Sequence, residues 1–255
     1  MRGFCAAPVG VSSSAREVGA VNLATPADWA AWGRALGGGL VDLALPPRCA
    51  DCGRGTAGAA LCTRCDWQSA APLPEAAPPA PVASWTAAVA HEGAAQDWVW
   101  RFKFTRPGLA GLDPQADAVA RFWIRRAAAA ARARAGAAPE LVLPVPLHRR
   151  RLRARGFNQS VALARDAARA LATPWSARAL LRIRDTQSQT GLSRSARQRN
   201  VAGAFRACGR LPRRVWLVDD VATTGATLAA AARALRRAGA REIRALTLAW
   251  RPLAR

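Results

Sequence analysis

Val215-Trp216-Leu217-Val218-Asp219-Asp220-Val221-Ala222-Thr223-Thr224-Gly225-Ala226-Thr227-Leu228 is the stretch whose reading decides the fold. Four apolar residues run into two adjacent carboxylates, then a Thr/Gly turn, then a segment rich in Ala, Leu and Arg. A buried strand that ends in acids and turns through small residues into a helix can grip a phosphorylated sugar. Loop N–H groups and the positive end of the helix dipole favour the phosphate. The carboxylates accept hydrogen bonds from hydroxyls or from the hydration shell of Mg2+. A nucleotide P-loop is excluded because no Lys is present, and a dinucleotide fingerprint because only Gly225 occurs where three spaced glycines are needed. The adjacency of Asp219 and Asp220 argues against an aspartyl-phosphate site. The plainer alternative is a strand–turn–helix whose Asp and Thr residues only cap the helix, although two acids, three Thr and a Gly exceed what a cap requires.

Outward from this run, helix 226–238, a stop at Gly239 and a strand at 243–249 complete a βαβ unit. Upstream, Trp85 to Val89 reads as a short strand, residues 114–135 as a helix with Pro114 near its start and Gly136 at its stop, and Leu141 to Val145 as a buried strand. Val161, Ala164, Ala168 and Leu171 recur at helical spacing over Ser160 to Ala172, and Pro174 ends that helix. Trp175 to Leu181 fits either a strand or a helix start. Residues 184–203 are polar, Arg-rich and without apolar periodicity, which predicts a long loop, functional or disordered. Alternating strands and helices predict an α/β fold: a parallel sheet with helices on both faces.

The formal charge is +22, and Lys103 is the only lysine among 38 basic residues. Residues 121–155 and 178–214 are dense in Arg, with one acid each, Glu140 and Asp185. Affinity for polyanions follows physically, for anionic substrates as for nucleic acid; a solvated basic surface without a dedicated partner remains the alternative. No stretch approaches the roughly 18 apolar residues of a membrane span. Met1 to Val21 lacks the apolar core of a secretory signal, so a cytoplasmic protein is expected.

Cys49, Cys52, Cys62 and Cys65 form two C-x-x-C knuckles, and four thiolates at this spacing can close a tetrahedron around Zn2+. Gly53, Gly55 and Gly58 let the chain turn between them. A disulfide reading needs an oxidising compartment, and a redox reading explains one pair only. Cys5 and Cys208 are left over as incidental thiols. The expected organisation is a flexible leader over 1–39 with room for a short helix, a zinc module over 40–68, a Pro/Ala-rich linker over 69–82 and the main domain over 83–255.

The central run resembles the phosphoribosyl-pyrophosphate (PRPP) motif of type I phosphoribosyltransferases, and the chain around it resembles the ComF family, which includes proteins linked to competence and DNA uptake. The resemblance extends in family order over about residues 40–250. It takes in the paired cysteines, Phe102-Lys103-Phe104, Leu143 to His148, and Arg155-Gly156-Phe157-Asn158-Gln159. It continues through Gln189-Thr190-Gly191-Leu192-Ser193 and Arg197 to Phe205. It implies that Val221, Ala222, Thr223, Thr224, Gly225, Ala226 and Thr227 hold the 5′-phosphate, and that Asp219 and Asp220 contact the ribose hydroxyls and help place Mg2+. Pro146, Leu147, His148 and Arg149 occupy the position of the pyrophosphate loop. Residues 184–203 occupy that of a mobile loop, with Arg182, Arg184, Gln187, Gln189, Arg197 and Asn200 as candidate clamps. The resemblance also places a lysine at Lys103. His148 reads as a loop residue bonded to backbone rather than a proton carrier, and His91 as structural.

The implied activity is a glycosyltransferase reaction, pentosyl transfer from Mg2+-bound PRPP to an unidentified nitrogen acceptor, with Asp219, Asp220 and Arg197 as the catalytic candidates. The competing expectation is a competence or DNA-uptake protein, binding single-stranded DNA or proteins of the competence machinery, in which PRPP binding is regulatory or a relic. Its support is the charge, the knuckles and ten tryptophans able to stack on bases.

Overall fold

The computed structural model describes residues 48–56, 59–69, 77–104, 113–186 and 194–251. The expected leader, residues 70–76 of the expected linker, Cys5, Gly58, Gln187 and Gln189 lie outside the described residues. The chain divides into two compact units, Met1–Cys65 and Asp66–Arg255.

In the first unit, Arg48 and Gly55 form an antiparallel bridge. The Cys49 N–H donates to the Arg54 carbonyl at 2.7 Å, and the Gly53 N–H to the Cys49 carbonyl at 2.9 Å. This turn requires a left-handed residue, and Gly53 supplies it with φ +71°. Cys62 precedes helix α1 (Thr63–Ser69), which carries Cys65.

The second unit is built on a four-stranded parallel sheet. Its strands are β1 (Ser84–Ala90), β2 (Leu141–Pro144), β5 (Arg214–Ala222) and β6 (Glu242–Trp250), in the order β1-β6-β5-β2. Val215 to Val218 are all buried, as expected for a strand covered on both faces. Full burial of side chains of this size stabilises by roughly 1.5–3 kcal/mol each. Successive residues point to opposite faces. Val215 and Leu217 therefore join the core formed with helix α7 (Ala226–Arg237), while Trp216 and Val218 serve the other face. Helices α3 (Pro114–Arg134) and α5 (Gln159–Ala170) pack on each other and on the sheet, and α2 (Gly93–Phe104) packs on α3 and β1. Asp113 caps α3 by accepting the Ala116 N–H at 3.0 Å. Among the described residues, no helix is long and apolar enough to cross a membrane.

The structure departs from the sequence expectations at four places. The strand expected at 215–218 continues to Ala222 because its ladder to β6 runs on to the Ala222–Trp250 pair, so Asp219 and Asp220 stand within it. The polar stretch 184–203 is not all loop: Arg194–Val201 forms helix α6, which packs on α7 with Val201 and Arg197 buried. The undecided segment 175–181 yields a parallel bridge from Trp175 to Val142, then β3 (Leu180–Arg182), paired antiparallel with β4 (Phe205–Ala207). In α5, Leu163, Ala164, Ala167 and Ala168 form the buried face, whereas Val161 and Leu171 are half-buried.

Candidate functional site

The run that opens β5 delivers its acids and its loop to the carboxyl edge of the sheet, where ligands bind in folds of this type. Asp219 Oδ1 accepts from Ser160 Oγ at 3.0 Å and from the Asp220 N–H at 2.9 Å. Burial and then the charge of Asp220 push the Asp219 carboxyl up to about 7, against the pull of the Asp220 N–H, the Ser160 hydroxyl and Lys103. Asp220 Oδ2 pairs with Lys103 Nζ at 3.3 Å, and its Oδ1 accepts the Val221 N–H at 2.5 Å. The pair thus carries a shared proton deficit that added donors, such as vicinal hydroxyls or hydrated Mg2+, would relieve.

The following turn is held from two sides. Arg197, on α6, donates from Nη1 to Thr223 Oγ1 at 2.6 Å. From the other side, Trp250 Nε1 donates to the Thr223 carbonyl at 3.2 Å, and the Trp250 ring packs edge-on against Trp85. Gly225 opens α7 in the left-handed region at φ +70°, and an added Cβ there would lie 2.5 Å from Pro79 Cγ. Only glycine meets both conditions; having no side chain it does not cap α7 itself, and Thr224 Oγ1 accepts the Ala226 N–H at 3.4 Å.

Beyond β2, Pro146 to His148 lead into the seven-residue helix α4 (Arg149–Arg155), where Arg149 is already helical rather than in the turn. His148 caps it, its Nδ1 accepting the Arg150 N–H at 3.4 Å and lying 3.5 Å from Asp185 Oδ1. Arg149 and Arg150 are exposed, while Arg151 donates to the Thr186 carbonyl at 2.8 Å. Arg182 stacks on Phe205 and donates to the Thr186 hydroxyl. Burial, followed by the charge of Arg151, lowers its guanidinium pKa, with Asp219 and Asp185 opposing. Arg184 is engaged with the Ala202 carbonyl.

Of the sequence candidates, the structure brings Lys103, Asp219 and Asp220 into one set of contacts at the end of β5, and Arg197 and Thr223 into a second on the turn that follows. Pro146, Leu147, His148 and Arg149 stand at the end of the neighbouring strand, and Arg184 is turned to its own segment. Ser160 was missed because a serine at a helix start reads as a cap. Asn158 takes the N-cap position of α5, accepting the Ser160 N–H at 3.2 Å, and frees the Ser160 hydroxyl for Asp219.

In the first unit, the Sγ atoms of Cys49, Cys52, Cys62 and Cys65 lie within 4.8 Å of one another. Cys52 and Cys62 are 3.7 Å apart. Tetrahedral Zn–S bonds of about 2.3 Å place ligand sulfurs about 3.8 Å apart, so the donor set fits zinc. Burial raises the Cys49 thiol, but backbone N–H groups of Cys52, Cys62 and Asp51 outweigh it, giving about 6. Burial and the neighbouring thiols push Cys65 up, and a bound cation would offset that.

Residues 158–254 match the phosphoribosyl transferase domain family. The chain is 45% identical over 89 residues to the DNA utilization protein YhgH of Escherichia coli (strain K12), covering 34% of this chain and 38% of that protein. It is 39% identical over 99 residues to the Competence protein F of Haemophilus influenzae, covering 37% and 43%. Each match thus spans less than half of the relative's length. Among solved structures, the allosteric regulatory enzyme of purine biosynthesis is similar at 21% identity and a TM-score of 0.38, over 59% of this chain and 30% of that one. The glutamine PRPP amidotransferase of B. subtilis, complexed with ADP and GMP, matches over the same shares at 21% identity and a TM-score of 0.36. The matched residues include the β5–α7–β6 unit with its two acids, so this part of the chain has the phosphoribosyltransferase-type fold. Over about a third of its length the chain is similar to proteins named for DNA utilization and for competence.

Proposed function

We propose that this chain binds PRPP as its Mg2+ complex and transfers the phosphoribosyl group to a nitrogen nucleophile, releasing pyrophosphate. The observation that carries this reading is one strand–turn–helix held by two sets of contacts, Lys103 and Ser160 on the acids Asp220 and Asp219, and Arg197 on Thr223 of the turn. In this reading the turn Val221–Thr227 holds the 5′-phosphate, with the α7 dipole behind it. Asp219 and Asp220 accept the ribose 2′ and 3′ hydroxyls. Mg2+, which arrives with the substrate, neutralises charge on the departing pyrophosphate. Arg149, on the first turn of α4, and Arg197 on α6 offer bidentate donors to the phosphates. Helix α6 lies in the segment that would close over the sugar and exclude water as charge develops at the anomeric carbon.

Calorimetry with Mg-PRPP, followed by pyrophosphate release against a panel of bases and ammonia, tests it. Asp219→Ala combined with Asp220→Ala is expected to abolish both signals. Measurable PRPP binding without release with any acceptor would reject transfer and leave binding.

A second reading is favoured by the relatives' names and by the Arg-rich helix α4. In it the protein handles single-stranded DNA, and the PRPP site is regulatory. Single-stranded DNA binding with a steep salt dependence that survives the same double substitution would support this reading.

A further inference from the structure

The ladder sets Ala222, Trp250 and Ala90 level across β5, β6 and β1. One residue further on, Thr223, Arg251 and His91 stand in a row at the carboxyl edge. The His91 N–H donates to the Trp250 carbonyl at 2.9 Å, and the Arg251 N–H to the Ala222 carbonyl at 2.9 Å, so the row is fixed by backbone. The His91 ring is half-buried, and its Nδ1 is covered and has no hydrogen-bond partner. Lys103 on α2, Asp220 on β5 and Arg251 after β6 are the charged groups that face it.

The sheet order gives this place a meaning that rests on the transferase reading. With the phosphate and hydroxyls held at the end of β5, the pyrophosphate is drawn toward β2 and α4 on one side. A nucleophile that displaces it must approach the anomeric carbon from the opposite face, which is the side of β6 and β1. There Arg251 is permanently charged and Lys103 is engaged with Asp220. We infer that His91 is the proton acceptor for the incoming nitrogen, through Nε2. As the C1–N bond forms and the C1–O bond breaks, pyrophosphate leaves with the electron pair, and the nitrogen's proton passes to His91 and then to water.

The electrostatics agree with this role. Burial, then the charges of Lys103 and Arg251, hold the imidazole pKa below its ordinary value, while the His91 backbone and Asp220 oppose. The ring is therefore neutral, and able to accept, at neutral pH.

The test compares wild type with His91→Gln and His91→Asn, at saturating Mg-PRPP and acceptor. The PRPP dissociation constant by calorimetry is expected to stay within about twofold, which also reports an intact fold. The rate of pyrophosphate release should fall on the order of 100-fold at pH 8. The wild-type to variant ratio should shrink as the pH falls through the lowered pKa of the wild-type imidazole, below the ordinary histidine value of about 6.5. This ratio cancels the titration of Asp219, which both proteins share. Equal rates in wild type and both variants would overturn the role of His91 while leaving the transferase reading intact. Absence of pyrophosphate release from the wild type with every acceptor would overturn the transferase reading, and the role of His91 with it.

Discussion

Replacing Asp219 by Asn isolates the cost of building this site. In the folded protein the Asp219 carboxyl titrates at about 7, pushed there by burial and then by Asp220. In the unfolded chain an aspartate titrates at about 3.9. Between these values the folded state binds more protons than the unfolded state, so stability falls as pH rises through the window and stays low above it. At about 1.4 kcal/mol for each unit, the displacement amounts to roughly 4 kcal/mol at most. Asn keeps an Oδ1 to accept from Ser160 and the Asp220 N–H, and removes the charge that burial opposes. The variant should therefore exceed wild type by about 2–4 kcal/mol at pH 8 and match it near pH 4. Urea unfolding followed by the fluorescence of the buried Trp85, Trp123 and Trp216 measures this. PRPP affinity should fall in the same variant, because site acids of this kind trade stability for function. A variant no more stable than wild type at pH 8, or equally stabilised at both pH values, would refute the argument.

Cys65→Ser should release the metal, read as a drop from about one zinc per chain to near zero by elemental mass spectrometry. Gly225→Ala forces a left-handed alanine against Pro79, so it should cost at least 1–2 kcal/mol by urea unfolding and abolish PRPP binding. Asp166 is fully buried on α5 and pairs with Arg125, whose Nε lies at 3.0 Å, and with Arg121 at 3.6 Å. Asp166→Ala should cost roughly 1–3 kcal/mol, less than a fully buried pair because both arginines reach solvent, with PRPP affinity unchanged by calorimetry.

The elements legible in the sequence were those whose burial pattern is periodic. The β5–α7–β6 unit shows an apolar run, an Ala/Leu helix and a glycine stop at Gly239, where φ is +108°. The four-cysteine cluster was legible because ligand spacing is itself the signal. The β3–β4 pair was not, because its strands, Leu-Leu-Arg and Phe-Arg-Ala, have three residues each and are too short to show a period. Helix α6 was hidden for a related reason. Its sequence Arg-Ser-Ala-Arg-Gln-Arg-Asn-Val offers one aliphatic anchor, Val201, and it buries Arg197 instead, bonded to Thr223. The placement of His91 and Ser160 depends on which strands are neighbours, and that order is not written in local pattern. Lys103 stood out as the lone lysine, but the partner that explains its position, Asp220, became identifiable only with the fold.

The site also shows why net charge alone is a poor guide to its ligand. A surface of +22 attracts any polyanion, and exposed arginines such as Arg149 and Arg150 do so without discrimination. In the transferase reading proposed above, Asp219 and Asp220 impose the selection. A nucleic-acid backbone offers them phosphate oxygens, which repel, and DNA offers no 2′ hydroxyl to donate. A phosphorylated ribose offers two vicinal donors to the carboxylates and a phosphate to the adjoining turn, where Gly225 brings the backbone close and Arg197 already meets Thr223. The basic rim can serve either ligand, but the acids at its centre favour the sugar phosphate. If the protein also engages DNA, contact belongs on the rim, and the two activities should separate by substitution: Asp219→Asn against PRPP, and Arg150→Ala with Arg153→Ala, both exposed, against DNA.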